Sequence, residues 1–580
     1  MSRRRRPTRA TSSSRASSRG GSGGLAKVVN SRIRLLLLCI LVAFGVLLAR
    51  ASWIATVRAS SLSAMAQVQT KAPVVLPAGR GTIFDSMGTP LALGEQATTI
   101  TADPTAVTRP KREAMTIARV LGLNPNGVYK RLTVRGTHFS YVQRQAPPAL
   151  ATRLANLKLP GLYFYAEERR TYPQHSVAAQ VLGAVNVDDQ GLAGLESSLN
   201  RDLTGTNGSQ TVVRDPFGKP ISIQQVVPPK HGKAVFLTLD SKIQANAEQV
   251  LRATVARWKA KDATAIVLDP RNGNILAMAQ APNFDANNFS KAYAKHVTSN
   301  RAVSDVYEPG SVFKVVTIAG ALSEGLVTPQ TKFTLPPTIR VADRTIHDAE
   351  ERGTETMSVA QILQKSSNVG VDTIAIKLLG ETRLKKWIHQ FGFGTKTGID
   401  FPGESPGLLP SYWSGSTIGN VPIGQGISVT AIQLASVYGA IANRGVWIQP
   451  HLVDHVQGEK PPAPRRRRIL SAQVDRQLVQ MLKGVVSDTG TAEAAAIPGY
   501  TVAGKTGTAQ KPGPHGYEPG KYVATFIGMV PAANPRLVVL VTVDEPKEAI
   551  FGGVVAAPAF AQIAQFDLQY LEVPPDQAVR

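Results

Sequence analysis

The stretch Glu308-Pro309-Gly310-Ser311-Val312-Phe313-Lys314 decides how the rest of the chain is read. Pro309 and Gly310 stop the segment before them, and the apolar run Val312 to Ala319 reads as a helix entering a core. Ser311 then lies in the first helical turn, with Lys314 three residues on and on the same face. A serine hydroxyl is a weak nucleophile until a neighbouring base takes its proton. Lysine can be that base only if it loses its own proton near neutral pH, which burial and a positive helix terminus both favour. The same helix end offers free backbone N–H groups to a developing oxyanion.

Four-residue matches of the Ser-x-x-Lys kind arise by chance in long chains, so two further segments carry the weight. Ser366-Ser367-Asn368 follows 55 residues after Ser311, inside Gln361 to Leu379, which reads as helical. Lys505-Thr506-Gly507-Thr508 follows at the end of a short strand, Tyr500 to Gly504. Around these segments, Val235 to Asp240 opens a module and leads into a helix through Trp258. Ala263 to Leu268 and Ile275 to Ala279 form a hairpin pattern, and Arg536 to Asp544 is a β-branched strand. Strands at both ends enclosing helices predict a sheet whose first and last parts pair.

The 580 residues can bury more than one core, and they carry a formal charge of +25. Residues 1–34 hold ten Arg or Lys and no Asp or Glu, which leaves about +15 (25 − 10) on the remainder. This Arg-, Ser- and Gly-rich tail cannot bury apolar surface and is expected to be disordered. Leu35 to Val57 is apolar over 23 residues. As a helix it extends roughly 34 Å, enough for a bilayer core of about 30 Å. That span argues against nucleic acid as the tail's partner. The basic residues before it predict a cytoplasmic N-terminus and an extracytoplasmic remainder. A cleavable signal ending at Ala49-Arg50-Ala51 is the alternative, for which the span is long. The single cysteine, Cys39, lies in the span, so the exported part has no disulfide.

Residues 58–232 read as a separate pedestal of short strands and helices without a constellation that demands chemistry, and residues 233–573 as the second module. Gly79 to Asp85 leads into Gly88 to Ala92 as strand–turn–strand, Arg170-Thr171-Tyr172-Pro173 precedes an apolar stretch, and Gly191 to Glu196 opens a helix ending near Leu203. Residues 574–580 are a short tail. Pro461 to Arg468 is a basic, proline-rich loop, solvated or in contact with anionic polymer or lipid. No histidine pair has metal-ligand spacing on one helical face; His451 and His455 stand four apart in a β-like segment.

The ordered trio Ser-x-x-Lys, Ser-x-Asn and Lys-Thr-Gly resembles that of penicillin-binding proteins and serine β-lactamases. From residue 35 to about 570 the chain looks like a class B penicillin-binding protein of the division-specific, penicillin-binding protein 3 type. The likeness extends to Arg80 through Asp85, Arg170 to Pro173, Gly424-Gln425-Gly426 with Thr430 and Gln433, and Phe551-Gly552-Gly553 with Pro558. Ser86-Met87 departs from the family's usual Arg-Asn or Arg-Asp.

The resemblance implies a membrane-anchored α+β protein, a dimerisation-type pedestal followed by a transpeptidase-like domain with an antiparallel sheet flanked by helices. It implies that Ser311 attacks the penultimate D-alanine carbonyl of a stem peptide, with Lys314 as base. Ser366 and Lys505 relay protons, and Asn368 orients the substrate amide. The N–H groups of Ser311 and Thr508 form the oxyanion hole, while Thr506, Gly507 and Thr508 beside Lys505 bind the substrate carboxylate. It implies no cofactor and no metal. The ligands implied are stem peptides ending in D-alanyl-D-alanine and β-lactams. The partners implied are a polytopic SEDS-type glycosyltransferase and other divisome membrane proteins in the inner membrane.

Other readings keep the fold or the motifs and change the task. A β-lactamase or β-lactam sensor needs a water-activating group, and Glu404, 38 residues after Ser366, is the candidate, although it lies in a turn-rich loop. A non-catalytic scaffold is disfavoured by three intact motifs. An elongation-specific transpeptidase is the nearest alternative, and the compact pedestal favours division. Gly403 to Gly407 matches Gly-x-Ser-x-Gly, but Pro406 lacks the N–H that such an elbow requires.

Overall fold

The structure, a computed structural model, describes residues 23–214, 220–514 and 516–578. Contacts divide the chain into two units, one of residues 1–75 and 209–227, the other of residues 76–208 and 228–580.

The first unit contains helix α1 (Gly23–Thr56) and a three-stranded sheet of Lys71–Leu76, Gly208–Arg214 and Pro220–Val227. Arg32–Thr56 is long and apolar enough to cross a membrane. Helix therefore begins twelve residues before Leu35, where a disordered tail is expected. Residues 25–34 contain neither glycine nor proline, so helix nucleated in the apolar run propagates back through them. Residues 1–22 of that tail, and Val579 and Arg580 of the C-terminal one, lie outside the described residues.

In the second unit, residues 76–208 build a sheet around the long strand Pro90–Ala102, which pairs antiparallel with Ile83–Phe84, Ser140–Ala146 and Leu162–Thr171. Behind it Glu196, fully buried, receives Arg80 Nε at 2.7 Å and Arg170 Nε at 2.6 Å, and its carbonyl accepts Arg80 Nη2 at 2.8 Å. Two guanidiniums on one carboxylate lock three distant segments together; such an arrangement specifies geometry more than it stabilises. At the atypical Ser86-Met87, Asp85 Oδ1 accepts the backbone N–H of Met87 and of Thr89. The turn is closed by the Asp85 carboxylate on backbone N–H groups, so it does not call on the side chains of Ser86 and Met87.

This sheet does not stop at the boundary expected at residue 232. Val235–Leu237 pairs parallel with Ile83–Phe84 on one side and antiparallel with Val453–Val456 on the other. The pedestal segment and the catalytic segment therefore share a sheet and one continuous core.

The catalytic segment is a five-stranded antiparallel sheet in the order β2-β1-β5-β4-β3, where β1 is Asp262–Leu268, β2 Ile275–Ala281, β3 Ala503–Gly513, β4 Gly516–Val530 and β5 Leu537–Asp544. The first hairpin and the last strand pair as expected, Asp262 to Leu268 against Asp544 to Val538. Period-two alternation sorts the side chains. Ala265, Val267, Val539 and Val541 join a core with α2 (Ser241–Trp258) and the C-terminal helix Ala557–Tyr570. Ile266, Leu268, Val538 and Leu540 join the opposite core. That second core contains α3 (Lys314–Ser323), α4 (Asn368–Ile374) and α5 (Ala431–Ala442). Each fully buried Leu, Ile or Phe contributes about 1.5–3 kcal/mol, so both faces of the sheet are firmly covered.

Two expectations shift. Gln361 to Leu379 is not one helix: Val359–Gln364 ends, Ser366 takes φ +58°, and Ser367 caps α4 through Gly370 N–H. Serine competes with helical backbone and prefers such caps. Arg466–Arg468, expected as loop, forms a strand beside Val446–Ile448.

Candidate active site

Three elements meet at the site. A tight 3₁₀ turn, Gly310–Phe313, carries Ser311 and runs directly into α3, whose first residue is Lys314. In 3₁₀ geometry residues i and i+3 eclipse, which places Ser311 and Lys314 on one face more strictly than an α-helix would. The turn is pinned from several sides. Gly310 N–H donates to Gly424 O at 3.0 Å, and Tyr438 O–H donates to Val312 O at 3.0 Å. Gly310 has φ +57° and Gly424 φ +81°, and a Cβ on Gly424 would strike Gly310 O. Both positions therefore need glycine.

The second element is the break before α4, which presents Ser366. The third is β3, the sheet's edge strand. Lys505, Thr506 and Gly507 lie inside this strand, not at its end, because pairing with β4 continues through Gln510↔Tyr522. Gly507 lets the strand close on the serine turn, since a Cβ there would sit 2.8 Å from Pro309 O. An edge strand leaves a row of backbone N–H and C=O groups free on its outer side, which is what a peptide ligand can pair with.

These elements converge on one hydroxyl. Ser366 Oγ accepts from Lys314 Nζ at 3.2 Å and from Lys505 Nζ at 2.9 Å. Lys314 Nζ also donates to Ser366 O, and Lys505 Nζ to Thr506 O and Oγ1, both at 3.3 Å. Thr506 Oγ1 lies 2.9 Å from Thr491 Oγ1, and Thr508 Oγ1 accepts Gly552 N–H at 3.2 Å. Ser311 is half-buried, whereas both lysines are fully buried. Asn368 Nδ2 donates to His347 O at 2.8 Å, so it borders the group without bonding to either lysine's hydroxyl partner.

The electrostatics follow from burial. Desolvation pulls Lys314 from the ordinary 10.5 down to about 7, against the opposing pull of Asp348 and Asp372. Lys505 falls well below its ordinary value, first through burial and then through the charge of Lys314. Burial and mutual repulsion both disfavour the charge on these two amines. With its value drawn down to about 7, the Lys314 amine can take a proton near neutral pH.

Two carboxyls escaped the sequence reading. Asp348 accepts from Ser367 Oγ at 2.9 Å, Val369 N–H at 3.0 Å and Arg352 Nε at 2.7 Å, and so fixes the start of α4. Burial works to raise its pKa, yet these donors together hold it below the usual carboxylate range. Asp372, fully buried on α4, has no hydrogen-bond partner on either oxygen among the described residues. Burial drives its pKa well up, opposed by Lys314. The available signal was its place four residues past Asn368, on the same helical face. Glu404, the candidate water-activating group, accepts from Thr397 N–H, Thr397 Oγ1 and Gly398 N–H, and so braces its own loop.

Known proteins share this arrangement. The family model described as the penicillin binding protein transpeptidase domain matches residues 263–565, and that described as the penicillin-binding protein dimerisation domain matches residues 75–237. Penicillin-binding protein PbpB of Mycobacterium tuberculosis is 36% identical over 556 residues, covering 89% of this chain and 81% of the relative. Peptidoglycan D,D-transpeptidase FtsI of Escherichia coli is 32% identical over 561 residues, covering 95% and 94%. Among solved structures, penicillin-binding protein 3 of Mycobacterium tuberculosis complexed with ampicillin superposes with a TM-score of 0.69 at 32% identity, covering 87% of this chain and 98% of that one.

Proposed function

The chain belongs to the penicillin-binding protein transpeptidase family, and on that premise we propose that it is a peptidoglycan D,D-transpeptidase that cross-links stem peptides in septal wall synthesis. The observation that carries this reading is the single hydroxyl of Ser366 accepting from both Lys314 and Lys505, with Lys314 one turn after Ser311.

Uncharged Lys314 takes the Ser311 proton as Oγ attacks the penultimate D-alanine carbonyl. The N–H groups of Ser311 and Thr508 hold the oxyanion that forms. Collapse breaks the peptide bond, and the departing D-alanine amine receives a proton through Ser366, flanked by the two lysines. Asn368 orients the donor amide, and Lys505 with Thr506, Gly507 and Thr508 binds the terminal carboxylate. A neighbouring stem's amine then attacks the acyl-Ser311 ester. It loses its proton along the same relay, forms the cross-link and restores the Ser311 hydroxyl. A β-lactam enters the first half of this sequence as a D-alanyl-D-alanine mimic and stays as the acyl group.

The test uses the full chain with a synthetic pentapeptide donor and an amine acceptor. D-alanine release matched by cross-linked product is expected, with neither from Ser311→Ala. Release with hydrolysed donor alone, at saturating acceptor, identifies a hydrolase and overturns the reading.

We further read α1 as an uncleaved single-pass anchor with the N-terminus in the cytoplasm and residues 58–573 outside. The ten basic residues before the span support that orientation. With the domain boundary at 232/233, residues 58–232 serve as the docking surface for a SEDS-type glycosyltransferase. A fragment from residue 58 onward, exported at matched abundance, should react with penicillin yet fail to restore septation in depleted cells. Full restoration makes the span a dispensable tether.

A further inference from the structure

A cavity of about 520 Å³, lined by neither Ser311 nor the two lysines, has a strongly cationic wall. Arg466 and Arg467 lie on the strand beside Val446–Ile448 and Arg465 immediately before it, while His389 and Lys396 come from the segment after residue 388. Trp447 forms part of the wall. Among the described residues, no lining group is a carboxylate.

The Arg465 and Arg467 guanidiniums are nevertheless held in place. Arg465 Nε donates to Gln449 Oε1 at 3.0 Å, and its Nη2 to Thr397 O at 3.4 Å. Arg467 Nη1 donates to Gln390 O at 2.7 Å, and its guanidinium lies 5.4 Å from the centre of the Trp447 ring. Trp447 is in turn tied to Ser436 on α5 through its indole N–H. Every one of these partners is neutral, so the positions are fixed while the charge is left uncompensated. Partial burial works against the Arg467 charge for the same reason.

We propose that this cavity is a binding site for a multiply charged phosphate group, of the diphosphate or phosphate-ester class. Guanidinium forks match phosphate oxygens bidentately, and Arg is the usual choice for that geometry. Three permanent charges, from Arg465, Arg467 and Lys396, exceed what one carboxylate neutralises, whereas a diphosphate supplies several charges and acceptor oxygens. The volume falls in the range of small-molecule sites and leaves room beside Trp447 for the organic part of an ester. The site shares no residue with the catalytic group, so the proposal stands independently of the transpeptidase reading.

The experiment is calorimetric titration of the full chain in phosphatidylcholine nanodiscs with inorganic diphosphate. Saturable one-to-one binding is expected, weakened by about tenfold or more in the triple variant Arg465→Gln/Arg466→Gln/Arg467→Gln, since charge-assisted bonds are lost. Fluorescent-penicillin labelling, unchanged in the variant, shows that it is folded. Repeating the titration in discs containing phosphatidic acid separates the sources. Weaker diphosphate binding there marks a lipid headgroup as the occupant, and unchanged binding marks a soluble phosphate compound. No saturable binding in neutral discs, equal binding by the triple variant, or equally strong displacement by succinate overturns the proposal.

Discussion

The account of Lys314 as an uncharged base predicts the pH dependence of acylation. Lowering the amine from 10.5 to about 7 amounts to about 5 kcal/mol against the charged form, at about 1.4 kcal/mol per tenfold. With that value, about a tenth of the protein has Lys314 uncharged at pH 6 and about nine-tenths at pH 8. The rate of acylation by a fluorescent penicillin, measured on the full chain in detergent, should therefore rise about tenfold across that interval, with its midpoint near 7. The sign for stability runs the same way. Between pH 7 and 10.5 the folded protein binds fewer protons here than the unfolded chain, so the penalty is full below pH 7 and fades as pH rises. Lys314→Met removes the base and the penalty together. It should lose acylation by at least about 100-fold while unfolding no earlier at pH 6. Lys314→Arg keeps the charge, cannot deprotonate, and should lose acylation as well. A flat profile, a rate that falls with pH, or a Lys314→Met protein acylating within about threefold of the parent would refute the reasoning.

Three further outcomes follow from the same geometry. Asp372 raises the proton affinity of Lys314, so Asp372→Asn should move the acid limb of that profile to lower pH; a limb that stays in place removes the coupling. Glu196→Ala strands the buried Arg80 and Arg170 guanidiniums and should cost about 3–5 kcal/mol in denaturant unfolding. A loss under about 0.5 kcal/mol would show that the cluster is solvated. Gly424→Ala places a Cβ against Gly310 O at a φ of +81°, so acylation should drop while the circular dichroism spectrum is retained; full acylation means the serine turn tolerates the shift.

Much of the site was legible because local chemistry wrote it. Pro309-Gly310 announces the turn, and the Ser311–Lys314 spacing is a one-turn relation that needs no tertiary information. The hairpin of β1 and β2 was equally local. What escaped was set by contacts far along the chain. Lys505 to Thr508 belong to the interior of an edge strand because β4 pairs with them, not because of the residues before them. Ser366 to Asn368 lie in an apolar helical pattern, and only the packed structure reveals that Ser367 spends its hydroxyl on a cap. The pedestal boundary looked clean in composition, yet Val235–Leu237 completes a sheet with strands about 150 residues before it and about 220 after it. Asp372 was marked only by its spacing from Asn368, since an acidic residue in a short helix reads as solvent-facing until its burial is known.

The central claim is that Ser311 is the nucleophile, and peptide mapping after β-lactam labelling tests it most directly. The full chain in its membrane is reacted with a fluorescent penicillin, digested, and the modified peptide sequenced by mass spectrometry. A single adduct on Ser311 that vanishes in Ser311→Ala is expected. An adduct on Ser366 or any other serine, or labelling that persists in Ser311→Ala, would contradict it.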